Sequence, residues 1–224
     1  MALILGIETT TKNCSVALFS DGIVIAEKER ISDGYMHAEL LNLFVQDVID
    51  SANITLNKIG AVALSMGPGS YTGLRIGTST SKGLCYALDI PLIGISTLKA
   101  MALTMAKNKN SAIYCPMIDA RRMEVFSALY DANNKEIRGV QADIVDKNTY
   151  SEFLTNEILF FGDGSLKCKE IISHKNAKFI EGNYPSAKNL GILAKAKFEK
   201  KDFEDVAYFE PYYLKDFVAG RKNP

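Results

Sequence analysis

Apolar positions in the first hundred residues fall into runs whose spacing alternates between strand-like and helix-like. Leu3 to Ile7 reads as a buried strand, and Cys14 to Ser20 with Ile23 to Glu29 flank Asp21-Gly22, a strong hairpin signal, so the chain begins with three strands. From Met36 to Ala52, Leu40, Leu41, Phe44, Val48 and Ile49 recur at helical spacing. Ala61 to Ser65 is then a short strand, Ser70 to Leu88 a second helix, and Pro91 to Ile95 a returning strand. The order repeats in the second half. Ala112 to Ile118, Glu124 to Tyr130 and a stretch after Asn133-Asn134 have the pattern of three strands, a helix is expected near Asp146 to Leu154, and Ile158 to Phe161 is another strand.

Each half places a Gly-x-Gly-Ser loop between a strand and a helix: Gly67 to Ser70 and Gly162 to Ser165. The loops are 95 residues apart, whereas Glu8 and Asp119, each at the end of a first strand, are 111 apart. The difference, 111 − 95 = 16, is accounted for by an extended first helix in the first half. Strands feeding a hairpin and then alternating with helices predict an α/β protein with a mixed sheet built twice. The expected lobes are residues 1–104 and 105–224, joined without a linker beyond Lys107-Asn108-Lys109-Asn110, and the tail after about 206 is expected to return to the first lobe.

Lys and Arg balance Asp and Glu at 26 each, so no global field steers the chain to nucleic acid or to an acidic membrane, and any RNA contact must be local or made through a partner. No apolar run approaches the ~20 residues of a membrane span, and no basic region leads into a signal peptide, so a cytoplasmic location is expected. Cys14, Cys85, Cys115 and Cys168 are widely spaced, with no Cys-x-x-Cys pair, and read as reduced core thiols.

The candidate chemistry centres on Gly67-Pro68-Gly69-Ser70. Two glycines let the backbone approach a ligand and Ser70 can cap the following helix, which suits a phosphate cradle; the same pattern also serves as a plain strand-to-helix turn. Glu8, Thr9 and Thr10 stand where a first hairpin would meet phosphate, or where hydroxyls satisfy a local turn. Other chemistries fail on spacing. Ser70 lacks the Gly-x-Ser-x-Gly context of a hydrolase nucleophile, no Walker phosphate loop occurs, and Asp89 precedes a strand instead of ending it, which is wrong for a dinucleotide site.

Ile7-Glu8-Thr9-Thr10, Met66 to Arg75 and Ile90-Pro91-Leu92-Ile93-Gly94-Ile95, in this order, resemble the TsaB family, the small paralogues of the TsaD/Kae1 threonylcarbamoyl transferases. Phe161-Gly162-Asp163-Gly164 and Pro211-Tyr212-Tyr213-Leu214-Lys215 add support. The resemblance implies two ribonuclease-H-like lobes of the actin, sugar kinase and heat-shock ATPase superfold, each with a five-stranded sheet. It also implies a non-catalytic subunit required for tRNA threonylcarbamoyladenosine modification next to the anticodon. Such a subunit works with a TsaD-like transferase and a TsaE-like ATPase, on the product of a TsaC-type enzyme, forms a homodimer when alone, and reaches tRNA through the complex. No cofactor of its own is implied, and ATP or ADP with Mg belongs to the partner complex.

TsaD relatives carry a His-x-x-x-His metal motif after the strand matching Pro91 to Ile95. Here that place reads Thr97-Leu98-Lys99-Ala100-Met101, which cannot replace two imidazoles, so neither a metal site nor a catalytic residue is expected. The apolar residues of the Met36 to Ala52 helix spread beyond one stripe, and Gly73, Gly77 and Ser81 form a small-residue stripe on the next helix. By resemblance these helices pair with the transferase and with a second copy, which makes His37, Leu40, Leu41, Phe44, Gly73, Arg75, Gly77 and Ser81 interface candidates. On this reading Leu40→Asp or Gly77→Leu weakens pairing and spares the monomer. Arg75 is placed to hold an acidic group or phosphate, whereas the Lys195, Lys197, Lys200 and Lys201 cluster, interspersed with acids, reads as a solvated helix end. The alternative class is a small ATPase or kinase of the same superfold, with Asp119 and Asp163 as the acidic residues available to it.

Overall fold

In a computed structural model that describes residues 2–32, 34, 36–108 and 110–215, the apolar runs form two five-stranded sheets. The first contains Leu3–Glu8 (β1), Asn13–Ser20 (β2), Ile23–Ile31 (β3), Ile59–Gly67 (β4) and Leu92–Ser96 (β5), in the order β3-β2-β1-β4-β5. The second contains Ile113–Asp119 (β6), Glu124–Tyr130 (β7), Glu136–Ile144 (β8), Ile158–Phe161 (β9) and Ala177–Phe179 (β10), in the order β10-β9-β6-β7-β8. In each sheet the first three strands pair antiparallel and the fourth and fifth add parallel, so the duplication extends to topology. Asp21 and Gly22 both take positive φ, the conformation a tight hairpin requires of its two central residues.

Helices His37–Ser51 (α1) and Tyr71–Leu88 (α2) cover one face of the first sheet, where Leu5, Ile7, Val16 and Leu64 meet Leu41, Phe44, Val48 and Cys85. The opposite face is closed from the far end of the chain. Ala187, Leu190 and Ala194, the last on helix Gly191–Glu199 (α4), pack against Ile4, Phe19, Ile93 and Ile95. The chain therefore returns to the first sheet by Ser186, whose hydroxyl lies 3.2 Å from that of Ser15, well before the expected position near 206. Helix Thr97–Asn108 (α3), where the relatives' metal motif would fall, is a joint between the sheets: Leu98, Met101, Ala102 and Met105 pack on Tyr114, Ile118, Phe126 and Tyr130 of the second.

Two expected helices of the second half do not form. Residues 146–154 make successive hydrogen-bonded turns whose backbone bonds span mainly three residues, from Ser151 to Asn148 and from Phe153 to Tyr150 at 3.0 Å each, so no α-helix propagates although Asp146 accepts the Asn148 amide as an N-cap would. After Gly162-Asp163-Gly164-Ser165 the chain makes only a short 3-10 turn at Leu166–Cys168. Ser165 donates to the Gly162 carbonyl at 2.9 Å instead of accepting a helix N–H, and so leaves its helix uncapped. The four cysteines are buried and free, and burial pushes the Cys14 thiol up to about 12 and those of Cys85 and Cys168 to about 11. Among the described residues no helix is long and apolar enough to cross a membrane.

Candidate functional site

The β1–β2 turn and the β4–α2 loop, each of which could serve either a phosphate or a local turn, touch directly. The Ser70 amide donates to the Thr10 carbonyl at 2.7 Å, and a Cβ placed on Gly69 would stand 2.5 Å from that same oxygen. Gly67, at φ +113, turns the loop so that this contact is made. Ser70 caps α2 as expected, its hydroxyl accepting from the Gly73 amide. The backbones are thus bonded to one another, and Gly69 serves this contact within the chain.

Glu8, Thr9 and Thr10 are buried and serve the turn itself. Glu8 Oε1 accepts from the Thr10 amide at 2.6 Å and the Thr10 hydroxyl at 2.5 Å, while Glu8 Oε2 accepts from the Ser65 hydroxyl. Burial raises the Glu8 pKa, partly offset by these bonds. His37 is buried too: its Nε2–H donates to the Thr11 carbonyl at 2.8 Å, and desolvation holds its pKa below the usual histidine value. Its expected place at a partner surface is therefore corrected, since the ring pins the start of α1 to the β1–β2 turn.

The small-residue stripe also turns inward. A Cβ on Gly73 would lie 2.0 Å from the Thr9 carbonyl oxygen, and one on Gly77 would lie 2.3 Å from the Thr9 hydroxyl, so these glycines admit the turn and not a foreign helix. Ser81, Leu41 and Phe44 are buried with them in the chain's own interior. Of the eight interface candidates only Arg75 is exposed and Leu40 half-buried. The outer surface of the α1–α2 pair carries Leu43, one of the apolar residues that spread beyond a single stripe on α1 and 61 % exposed, together with two residues not among the candidates, Tyr86, 87 % exposed, and Ile76, half-buried. Their signal was available as apolar residues out of phase with the buried stripe.

Arg75 does not stand alone. Its guanidinium lies 4.3 Å from the Tyr71 ring centre and is hydrogen-bonded to Tyr213, whose ring packs against Tyr71 with centres 5.0 Å apart and planes tilted by 38°. Tyr213 arrives on a strap that also bonds the Tyr212 amide to the Met66 carbonyl at 2.7 Å, and whose Ala207 and Phe209 carbonyls accept from Lys82 on α2. At the mouth of the second lobe, Asp163 Oδ1 accepts from the Asp119 amide at 3.2 Å, and burial raises its pKa to about 6. Asp119 is ion-paired with Lys167. Among the described residues no three His, Cys, Asp or Glu side chains converge on a point that would hold a metal ion.

Two equivalent lobes with parallel and antiparallel strands in this order define the two-lobed actin and sugar kinase superfold. The activator of 2-hydroxyisocaproyl-CoA dehydratase from Clostridium difficile shares it at TM-score 0.51 and 11% identity, over 91% of this chain and 98% of that one. YeaZ from Pseudomonas aeruginosa superposes at TM-score 0.78 with 24% identity, over 96% of this chain and all of that one. A family model described as "TsaD: tRNA N6-adenosine threonylcarbamoyltransferase" matches residues 34–222. The tRNA threonylcarbamoyladenosine biosynthesis protein TsaB of Escherichia coli is 32% identical over 99% of this chain and 98% of its own length. Its namesake in Bacillus subtilis is 30% identical over 98% and 96%. The chain belongs to this family of sequences and, within it, to the TsaB proteins.

Proposed function

We propose that the chain is a non-catalytic accessory subunit of tRNA threonylcarbamoyladenosine biosynthesis that binds a TsaD-like transferase and supports transfer next to the anticodon. The observation that carries this reading is the closed contact between Thr10 and Ser70, which commits the glycine loop to the chain's own turn. The burial of Thr97 and Met101 on α3, where the transferases carry two metal-binding histidines, agrees with it. Relatives of the same length bear the name of this biosynthesis. The ATPase or kinase alternative finds no support in a turn and loop bonded to each other.

The docking face is the outer surface of α1 and α2, carried by Leu40, Leu43, Ile76 and Tyr86, with Arg75 at its edge. Apolar side chains left on two adjacent helices suit a partner helix or a second copy of the chain. The test is threonylcarbamoyl incorporation into unmodified tRNA by TsaC-, TsaD- and TsaE-type proteins with threonine, bicarbonate and ATP, with and without this chain. The expected result is activity that needs the chain and is absent when the chain replaces the transferase. Equal activity without it overturns the reading.

A further inference from the structure

The two lobes place the same hairpin turn in opposite situations. In the first lobe the β1–β2 turn is buried against the glycine loop; in the second the β6–β7 turn projects outward and carries Arg121 and Arg122, both exposed. Both arginines have left-handed backbone, with φ of 72° and 50°. Non-glycine residues in this region are uncommon, and two in succession persist only where the surroundings hold them.

The surroundings do so through charge. The Asp119 carboxylate accepts from the Arg121 amide at 2.9 Å and is ion-paired with Lys167. Lys167 also donates to the carbonyls of Arg122 at 2.8 Å and Glu124 at 2.6 Å. Lys215, at the end of the strap, donates to both oxygens of Glu124, 2.6 and 2.5 Å away. Each carboxylate at the base of the turn therefore has its own lysine. The two guanidiniums are left uncompensated, for among the described residues neither has an ion pair.

The geometry points to this turn as a phosphate-binding tip that holds the backbone of an RNA, resting on the accessory-subunit reading above. Guanidinium forks match phosphate oxygens bidentately. The chain as a whole is neutral, so an RNA contact must be local, and this is a place where two cations are held out together. A protein partner is less well matched, because none of the exposed large apolar residues lies between Asp119 and Glu124 and Ile144, opposite Glu124 on β8, is a single residue, whereas a protein interface needs an apolar centre. The base of the tip lies near Arg75, at the edge of the proposed docking face, since the strap that grips Arg75 through Tyr213 grips Glu124 two residues later through Lys215.

The test is fluorescence anisotropy with unmodified tRNA, on the lone chain and on its complex with a TsaD-family transferase, across a salt series. The variants are Arg121→Gly/Arg122→Gly and Arg121→Lys/Arg122→Lys. Glycine takes positive φ freely, so the first variant keeps or raises the thermal midpoint, which separates an RNA role from a structural one. It is expected to weaken tRNA binding by the complex about tenfold or more and to flatten the log–log salt dependence by about 1.5. The lysine variant keeps the slope and loses part of the affinity. An unchanged affinity and slope in the glycine variant overturns the proposal. So does a loss of transferase pairing with unchanged tRNA affinity, which would assign the tip to the protein partner. Failure of the accessory reading has a different signature: modification activity equal with and without the wild-type chain. In that event the comparison of wild type and variant on the lone chain decides the RNA site by itself.

Discussion

The Thr9 hydroxyl donates to the Gly73 carbonyl at 2.8 Å, and the Thr9 carbonyl oxygen stands 2.0 Å from the point a Gly73 Cβ would occupy. The first turn of α2 is thus moulded onto the β1–β2 turn. Gly73→Ala forces the helix off this seat and is expected to destabilise the fold by about 1–3 kcal/mol, read as a lower urea midpoint at unchanged slope. Gly77→Leu meets the Thr9 hydroxyl and Leu64 in the same way, so it damages the monomer and cannot serve as a clean pairing variant.

Pairing is better probed from outside. Leu43→Asp and Tyr86→Asp change exposed positions and are expected to alter stability by no more than ~0.5 kcal/mol. By calorimetry they should weaken binding to a TsaD-family transferase at least tenfold. Leu41→Ala, on the buried side of α1, should do the reverse: a loss of about 2–5 kcal/mol of stability, with affinity of the folded fraction preserved.

His37 should give stability a pH dependence. Its folded pKa lies below the unfolded value of 6.5, so above that value neither state binds the proton and the stability is complete. As pH falls below 6.5 the unfolded chain takes up the proton first, and stability declines until the folded pKa is passed. Urea midpoints at pH 7.5 and 5.0, compared between wild type and His37→Gln, isolate this contribution from that of Glu8, whose raised pKa acts in the opposite direction. The variant should show the smaller fall on acidification.

In the second lobe a buried ion pair fastens β8 to its neighbours. Arg138 reaches Asp143 at 2.6 Å, and the same carboxylate accepts from Ser127 at 2.5 Å and Tyr150 at 2.9 Å. Asp143→Ala leaves a half-buried guanidinium uncompensated and is expected to cost about 2–3 kcal/mol. Tyr150→Phe removes one bond and should cost about 1–2 kcal/mol. Thermal unfolding of the two variants ranks them.

Periodicity carried most of the architecture, because β1, β2, β4, β6 and β7 are apolar runs bounded by turn residues, and α1 and α2 are long enough for their spacing to be unambiguous. It overstated residues 146–154, where Tyr150 and Leu154 are buried at helical spacing but the backbone bonds span mainly three residues and give successive turns. The site was less legible. A glycine that admits a ligand and a glycine that admits the chain's own backbone look alike in sequence, and only the position of Thr9 and Thr10 distinguishes them at Gly69, Gly73 and Gly77. The arginine turn went unremarked because two residues alone make no pattern, and their backbone strain is invisible without coordinates.

The closing of the first sheet by residues 187–209 has a consequence for synthesis. A ribosome that has delivered the chain through β10 has supplied every strand of both sheets, yet Phe19, Ile93 and Ile95 still lack the α4 segment, and Phe209 has not reached the other face. The second lobe, whose strands all lie between residues 113 and 179, has its whole sheet at that moment and lacks Ile180, Leu214 and the Lys215 contact to Glu124. The half made first therefore still lacks part of its cover when the strands of the second are all present, and an interrupted chain exposes an apolar sheet face.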